Sequence, residues 1–240
     1  MVSLAAALAQ QHPDLDDPGD AIETGRVLVG GKPMLNPRAR VAESAPITVR
    51  PELALRGAAK LEAAIIGFAV AVDGRIGLDC GAAAGGFTTV LLEHGAARVY
   101  AVDAGFGQLR GELRQNPRVV NLERTNLGDL TRELVPDAID LVTLDLSYLS
   151  LARAVPELDR LELAPTAELV ALVKPMFELA LGRPPEDRAQ LDAAVTAARE
   201  GVENAGWDVL AVSESPTRGG RGAVEFLLHA RHRAGVHTIR

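Results

Sequence analysis

The positive charge of this chain is carried almost entirely by arginine: of 25 lysines and arginines, only Lys32, Lys60 and Lys174 are lysines. Lysine gives up its proton when it is desolvated, whereas arginine effectively never does, so the positions of the lysines are informative. Lys60 lies on a helical stretch, and Lys174 follows the apolar run Glu168 to Val173. Asp145 closes a similar run, Ile139 to Leu146, and Glu225 stands near the start of Ala223 to His229. If those runs are neighbouring strands, two ammonium groups and two carboxylates meet on one rim. Burial and a neighbouring cation both depress a lysine pKa, which is what a general base working near neutrality requires. Such a base could take the proton from an alcohol.

A second chemistry-bearing stretch is Arg75 to Gly95, RIGLDCGAAAGGFTTVLLEHG. β-forming residues stop at Asp79, a small-residue turn runs from Gly81 to Gly86, and Phe87, Val90, Leu91 and Leu92 then recur at helical spacing. Strand, glycine turn and helix together let backbone N–H groups approach an anionic or nucleotide-like ligand. The next strand pattern, Arg98 to Val102, ends on Asp103, where a carboxylate can accept both hydroxyls of a ribose. The turn GAAAGG is not the G-x-G-x-x-G of dinucleotide enzymes. That favours S-adenosylmethionine, which has no pyrophosphate, over NAD. Asn126 falls just after the third strand, either to meet an adenine edge or to cap a helix. Cys80, the single cysteine, reads as packing and excludes an internal disulfide.

The elements that must position these groups alternate. Strands are expected at 76–79, 98–102, 119–122, 139–146, 168–173, 207–213 and 223–229. Helices are expected at 53–69, 87–92, 108–114, 127–134, 151–161 and 189–205, with a loop at 179–186. Alternation of this kind specifies an α/β, Rossmann-like, doubly wound and mostly parallel sheet with an antiparallel last strand and ligand at the C-terminal strand ends. Ahead of it, residues 1–50 read as a small α+β module with helices from Leu4 and at Asp17 to Glu23, a strand and turn at Arg26 to Pro33, and a strand at Ala45 to Val49. Pro51 marks the boundary, leaving 51–240 as the larger domain.

Composition narrows the classes. At 240 residues and 48% apolar content the chain can bury a large core. A net charge of −7 argues against a general nucleic-acid binder, so any RNA contact must be local. No signal peptide or membrane-spanning run is expected and the chain is assigned to the cytoplasm; the histidines are not spaced as metal ligands.

The segments RGAAKLEAA, LDCGAAAGGFTT, YAVDAGFGQLR, LERTN, LDLSYLS, LVKPMFE and VEFLLH occur in that order between residues 50 and 231. Together they resemble the TlyA family of ribosomal RNA methyltransferases, within the FtsJ-like group of ribose 2′-O-methyltransferases. The resemblance implies S-adenosylmethionine as cofactor, held at Gly81, Gly85, Gly86, Phe87, Asp103, Asn126 and Asp145. It implies a Lys-Asp-Lys-Glu tetrad of Lys60, Asp145, Lys174 and Glu225, with Lys174 as base and Lys60 and Glu225 orienting the acceptor hydroxyl. The stretch GRVLVGGKPMLNPRARVAESAPITV resembles the latter half of the RNA-binding domain first seen in ribosomal protein S-four, although Asp14, Asp16, Asp17, Asp20 and Glu23 make the helical part ahead of it acidic. Ribosomal RNA or a ribosomal subunit is then the expected partner, without DNA or membrane, contacted by Lys32, Arg218, Arg221, Arg231 and Arg233. The alternatives are a smaller hydroxylated acceptor such as a nucleoside, or a cofactor-binding but inactive homologue.

Overall fold

The computed structural model describes residues 2–15, 18–23, 27–34, 36–42, 44–49 and 56–233. The chain divides into two compact units, Met1–Ala54 and Leu55–Arg240. The expected helix start at 53–55, the boundary at Pro51 and the strand start at Arg26 lie outside the described residues.

In the first unit, β1 (Val2–Ser3) pairs antiparallel with β4 (Arg40–Val41), a pairing too short to read from sequence. Helix α1 (Leu4–Gln11) is capped by Ser3, whose Oγ accepts a hydrogen bond from the Ala6 N–H at 3.2 Å. After α2 (Pro18–Glu23), strands β2 (Val27–Val29), β3 (Lys32–Pro33) and β5 (Ile47–Val49) form an antiparallel sheet in the order β3-β2-β5. Leu4, Leu8, Ile22 and Val27 are fully buried between helices and sheet.

The second unit begins with α3 (Arg56–Phe68). It continues through β6 (Ile76–Cys80), α4 (Gly86–Glu93), β7 (Arg98–Asp103), α5 (Gly111–Gln115) and β8 (Val119–Glu123). Then come β9 (Ile139–Leu144), α6 (Leu151–Ala154), β10 (Leu163–Val173) and α7 (Pro175–Glu178), followed by α8 (Arg188–Asn204), β11 (Trp207–Glu214) and β12 (Phe226–His232). The seven strands form one sheet in the order β11-β12-β10-β9-β6-β7-β8. β8, β7, β6, β9 and β10 run parallel, and β12 is antiparallel to both its neighbours. The central strands read as continuous apolar runs because both faces are covered, and Leu78, Leu141, Val142, Leu144, Leu169 and Val173 are buried.

The sheet's topology places the site. The chain leaves β6 toward β7 and β8 on one side, then returns to β9 and β10 on the other, so the switch in direction falls between the C-terminal ends of β6 and β9. Because β12 runs against β10, with Phe226 opposite Val173, the start of β12 lies at that same end.

Two expected helices differ. Residues 127–134 make only a 3-10 turn at Leu127–Asp129. Leu127 and Leu130 are buried at a helix-like spacing and Asn126 and Asp129 form a helix-starting capping box, but Leu130 adopts extended backbone with ψ 137°, so the turn is not continued. Residues 151–161 are α-helical only through Ala154 and then 3-10 from Val155 to Arg160, because Pro156 has no N–H for the α ladder. β10 also begins earlier than expected, at Leu163, with irregular register against β9 between Leu163 and Glu168, where Pro165 removes a donor.

Helix α8 packs on α6 at one glycine. A Cβ on Gly201 would stand 2.6 Å from the Ala152 Cα and 2.9 Å from its N. Gly201→Ala gains helix propensity of about 1 kcal/mol, but the clash is with backbone and costs about 1–3 kcal/mol. A lowered thermal midpoint is expected, measured by circular dichroism.

Candidate active site

The turn after β6 is shaped by Gly81, whose φ is +89°. A Cβ there would collide with the carbonyl oxygen of Asp145, so the turn after β6 lies directly against the end of β9. The two are also tied by a hydrogen bond from the Asp145 N–H to the Cys80 carbonyl at 3.0 Å. Beneath the turn, Asp79 is fully buried and accepts from the Thr88 hydroxyl at 2.6 Å and the Thr143 hydroxyl at 3.1 Å. Desolvation pushes its carboxyl up to about 6 despite those two hydrogen bonds. A carboxyl raised in the folded state holds its proton where the unfolded chain has lost it, so stability falls as pH rises from about 4 to about 6. Asp79→Asn is expected to flatten that fall and to raise the melting temperature above about pH 6, measured by thermal melts across that range.

A cleft of about 210 Å³ opens above the turn, lined by Gly81, Ala83, Asp103, Thr125, Asp145 and Tyr148 among others. At the end of β7, the Asp103 carboxylate accepts from the Ala83 N–H at 2.8 Å and from the Gly105 N–H at 2.7 Å. Each oxygen keeps a further lone pair, so the group is fixed in place and still able to accept a diol. The loop beyond it is held by Glu123, which accepts from the Gln108 and Leu109 N–H groups at 2.8 and 3.1 Å. Burial raises the Glu123 pKa, but these and other hydrogen bonds outweigh it and hold the carboxyl down to about 2.

Beside this cleft is a second, of about 320 Å³, lined by Ser147, Lys174, Met176, Phe177, Val224 and Glu225 among others. Ser147 belongs to the walls of both clefts. The four charged residues named from sequence form two pairs at this junction. Lys60, carried by α3, donates to Glu225 Oε2 at 2.6 Å with both side chains nearly sealed from solvent. Lys174 Nζ lies 2.6 Å from Asp145 Oδ1 and donates to Ser147 Oγ at 2.8 Å. Lys174 is thus held between a carboxylate, by charge, and the Ser147 hydroxyl, by a hydrogen bond.

Of the residues expected to hold the cofactor, Gly81, Asp103 and Asp145 line the first cleft. Phe87 is 3% exposed and packs in the core, where Gly57 leaves it room. Gly85 and Gly86 are buried at the start of α4, with Gly85 against Leu109 and Leu113. Asn126 is exposed and bonds Asp129, while its neighbours Thr125 and Leu127 line the cleft. Lys32 is exposed on β3 of the first unit. Arg218 is exposed and pairs with Glu214 at 3.4 Å. Arg231 stands opposite Glu168, five positions down β12 from the rim and so roughly 17 Å away. Arg233 is spent on Asp208 and on the carbonyls of Glu203 and Trp207. The structure therefore does not bring Arg231 and Arg233 to the clefts, and the side chain of Arg221 lies outside the described residues. Sequence reasoning passed over Ala83, Thr125, Ser147 and Tyr148, whose only signal was their place just after strands.

Residues 53–232 match the FtsJ-like methyltransferase family. The chain belongs to that family. It is 41% identical to the 16S/23S rRNA (cytidine-2'-O)-methyltransferase TlyA of Mycobacterium tuberculosis, over 88% of this chain and 82% of that protein. Among solved structures it superposes on a putative hemolysin from Streptococcus thermophilus with TM-score 0.71 and 28% identity, covering 96% of this chain and 88% of the other. An S-adenosylmethionine dependent methyltransferase from Mesorhizobium loti, at TM-score 0.55 and 23% identity over 74% of this chain and all of that one, shares the fold. The cofactor of this FtsJ-like methyltransferase is S-adenosylmethionine. The glycine cradle at Gly81 and the fixed carboxylate of Asp103 fit its adenosyl half. Among the described residues no helix is long and apolar enough to cross a membrane.

Proposed function

We propose that this FtsJ-like methyltransferase methylates a ribose 2′-hydroxyl of ribosomal RNA, with Lys174 as general base. The observation that carries the reading is the place of the Lys174 amine, in the wall of the second cleft and bonded to Ser147, which walls both. S-adenosylmethionine, when bound, supplies a methyl carbon made electrophilic by its sulfonium. Asp103 holds the ribose of that cofactor and Gly81 lets it lie against the backbone. Lys174 would take the proton of the acceptor hydroxyl as that oxygen bonds to the methyl carbon and the methyl–sulfur bond breaks, its electron pair staying on sulfur so that S-adenosylhomocysteine leaves as a neutral thioether. The resulting ammonium is stabilised by the Asp145 carboxylate 2.6 Å away. The Lys60–Glu225 pair, with Glu225 in the wall of the second cleft, orients the acceptor.

The named activity of the mycobacterial relative, whose matched length spans most of both chains, supports ribosomal RNA as the acceptor. The first unit serves as a diverged S-four-like RNA-binding module, in which Lys32 is exposed to phosphates. Net charge of −7 favours a second reading, a small hydroxylated acceptor such as a nucleoside. Incubation with tritium-labelled cofactor and ribosomal subunits, free ribosomal RNA or nucleosides decides between them. Label in RNA, lost steeply as salt rises, supports the first reading. Label in nucleosides alone supports the second, and no label in any acceptor overturns both.

A further inference from the structure

The two short segments that meet at the junction of the clefts are fastened to each other twice. At one end Lys174 Nζ donates to Ser147 Oγ at 2.8 Å. At the other, four residues further along each segment, the Leu151 N–H faces the Glu178 carboxylate, 3.0 Å from Oε1 and 3.2 Å from Oε2. Lys174 to Glu178 is a single turn, α7, whose Glu178 N–H returns to the Lys174 carbonyl at 3.1 Å. Ser147 to Leu151 leads from β9 into α6 and carries Tyr148, which lines the first cleft. The second fastening thus sets how these two turns lie side by side, and the first lies at the reacting end.

We propose that Glu178 is a positioning residue: its grip on the Leu151 N–H holds Ser147–Leu151 beside Lys174–Glu178 and so keeps the Lys174 amine on Ser147, at the boundary of the two clefts. This rests on the reading of Lys174 as base. Glu178 itself is absent from the walls of either cleft, so its effect reaches the reaction only through Lys174 and Ser147.

The Glu178 carboxyl is largely buried where it makes this bond, and desolvation pushes it up to about 7 in spite of the Leu151 hydrogen bond, so what the site uses is an acceptor oxygen at this place rather than a full charge. The symmetric pair of distances to Leu151 lets either oxygen take the bond as the turn shifts. Lys174 gains from a partner held this way, because its place is set jointly by the ion pair to Asp145 and the hydrogen bond to Ser147.

The test compares Glu178→Ala, Glu178→Gln and Lys174→Ala in the full chain, measuring melting temperature, cofactor affinity and single-turnover methyl transfer to the acceptor identified by labelling. Glu178→Gln keeps an acceptor oxygen and should transfer at close to the parent rate. Glu178→Ala should lose about 10- to 100-fold in the single-turnover rate, the order expected when a reacting group is misplaced by about 1 Å, with cofactor affinity retained and the chain folded. If Glu178→Ala folds and transfers at the parent rate while Lys174→Ala is inactive, the positioning role is overturned and the base stands. If Glu178→Gln falls as far as Glu178→Ala, the grip on Leu151 is not what matters and the proposal is likewise overturned. Activity in Lys174→Ala removes the underlying reading instead. Should Glu178→Ala fail to fold, Ser147→Ala tests the other fastening: an undiminished rate overturns the proposal, and a similar loss supports it.

Discussion

Lys174→Ala is expected to lower the single-turnover rate of methyl transfer by about 10²–10⁴-fold, the range a positioned general base contributes. Cofactor affinity should barely move, because Lys174 is not in the wall of the cleft that holds Gly81 and Asp103. The more discriminating variant is Lys174→Arg. It restores a cation beside Asp145, which is 2.6 Å from the lysine, and so repairs the charge lost in the alanine variant. A guanidinium cannot give up its proton near neutrality, so the arginine variant should be as inactive as the alanine one while melting closer to the parent. Parent-level transfer by Lys174→Arg would eliminate proton abstraction by this residue. Calorimetric cofactor titration alongside the rate measurement separates a chemical defect from a binding defect.

The parts of this site that were legible in the sequence are those fixed by strand ends. Strand periodicity located Asp79, Asp103, Asp145 and Lys174 because each follows an apolar run whose length the sheet dictates, and a parallel sheet gathers such ends on one rim. Glu225 was legible for a subtler reason: it lies just ahead of β12, and only an antiparallel strand brings its start to the rim where the parallel strands finish. What stayed hidden is set by contacts distant in sequence. Nothing local to Arg231 and Arg233 says that β12 carries them away from the rim, or that Arg233 would fold back on Asp208. Phe87 next to a glycine turn looks like a ligand contact until Gly57, thirty residues earlier, proves to be what it packs on. Ser147 and Glu178 are ordinary side chains in sequence, and they gain meaning only when β9 and β10 lie side by side. The helix expected over 127–134 begins with an Asn126–Asp129 capping box but stops at Leu130, whose extended backbone nothing in the local sequence signals.

The Lys60–Glu225 pair separates what the site costs from what it does. Both side chains are 7% and 6% exposed and their charges meet at 2.6 Å. Removing one partner leaves the other buried and uncompensated, so Glu225→Ala and Lys60→Met should each lose about 3–5 kcal/mol of stability. Replacing both together by methionine removes both charges at once and keeps similar length, and buried pairs exchanged for apolar side chains often lose nothing or gain 1–4 kcal/mol. Denaturant titration should therefore find the double variant at least as stable as the parent and far more stable than either single one. Methyl transfer should not recover with it if the second cleft, which Glu225 lines, takes the acceptor as proposed, because an apolar wall there cannot hold a hydroxyl in line with the donor. The pair has no such role if the double variant is both stable and fully active. Stability regained without activity is the pattern expected if this buried charge pair, costly to desolvate, is there to position the acceptor rather than to hold α3 against β12.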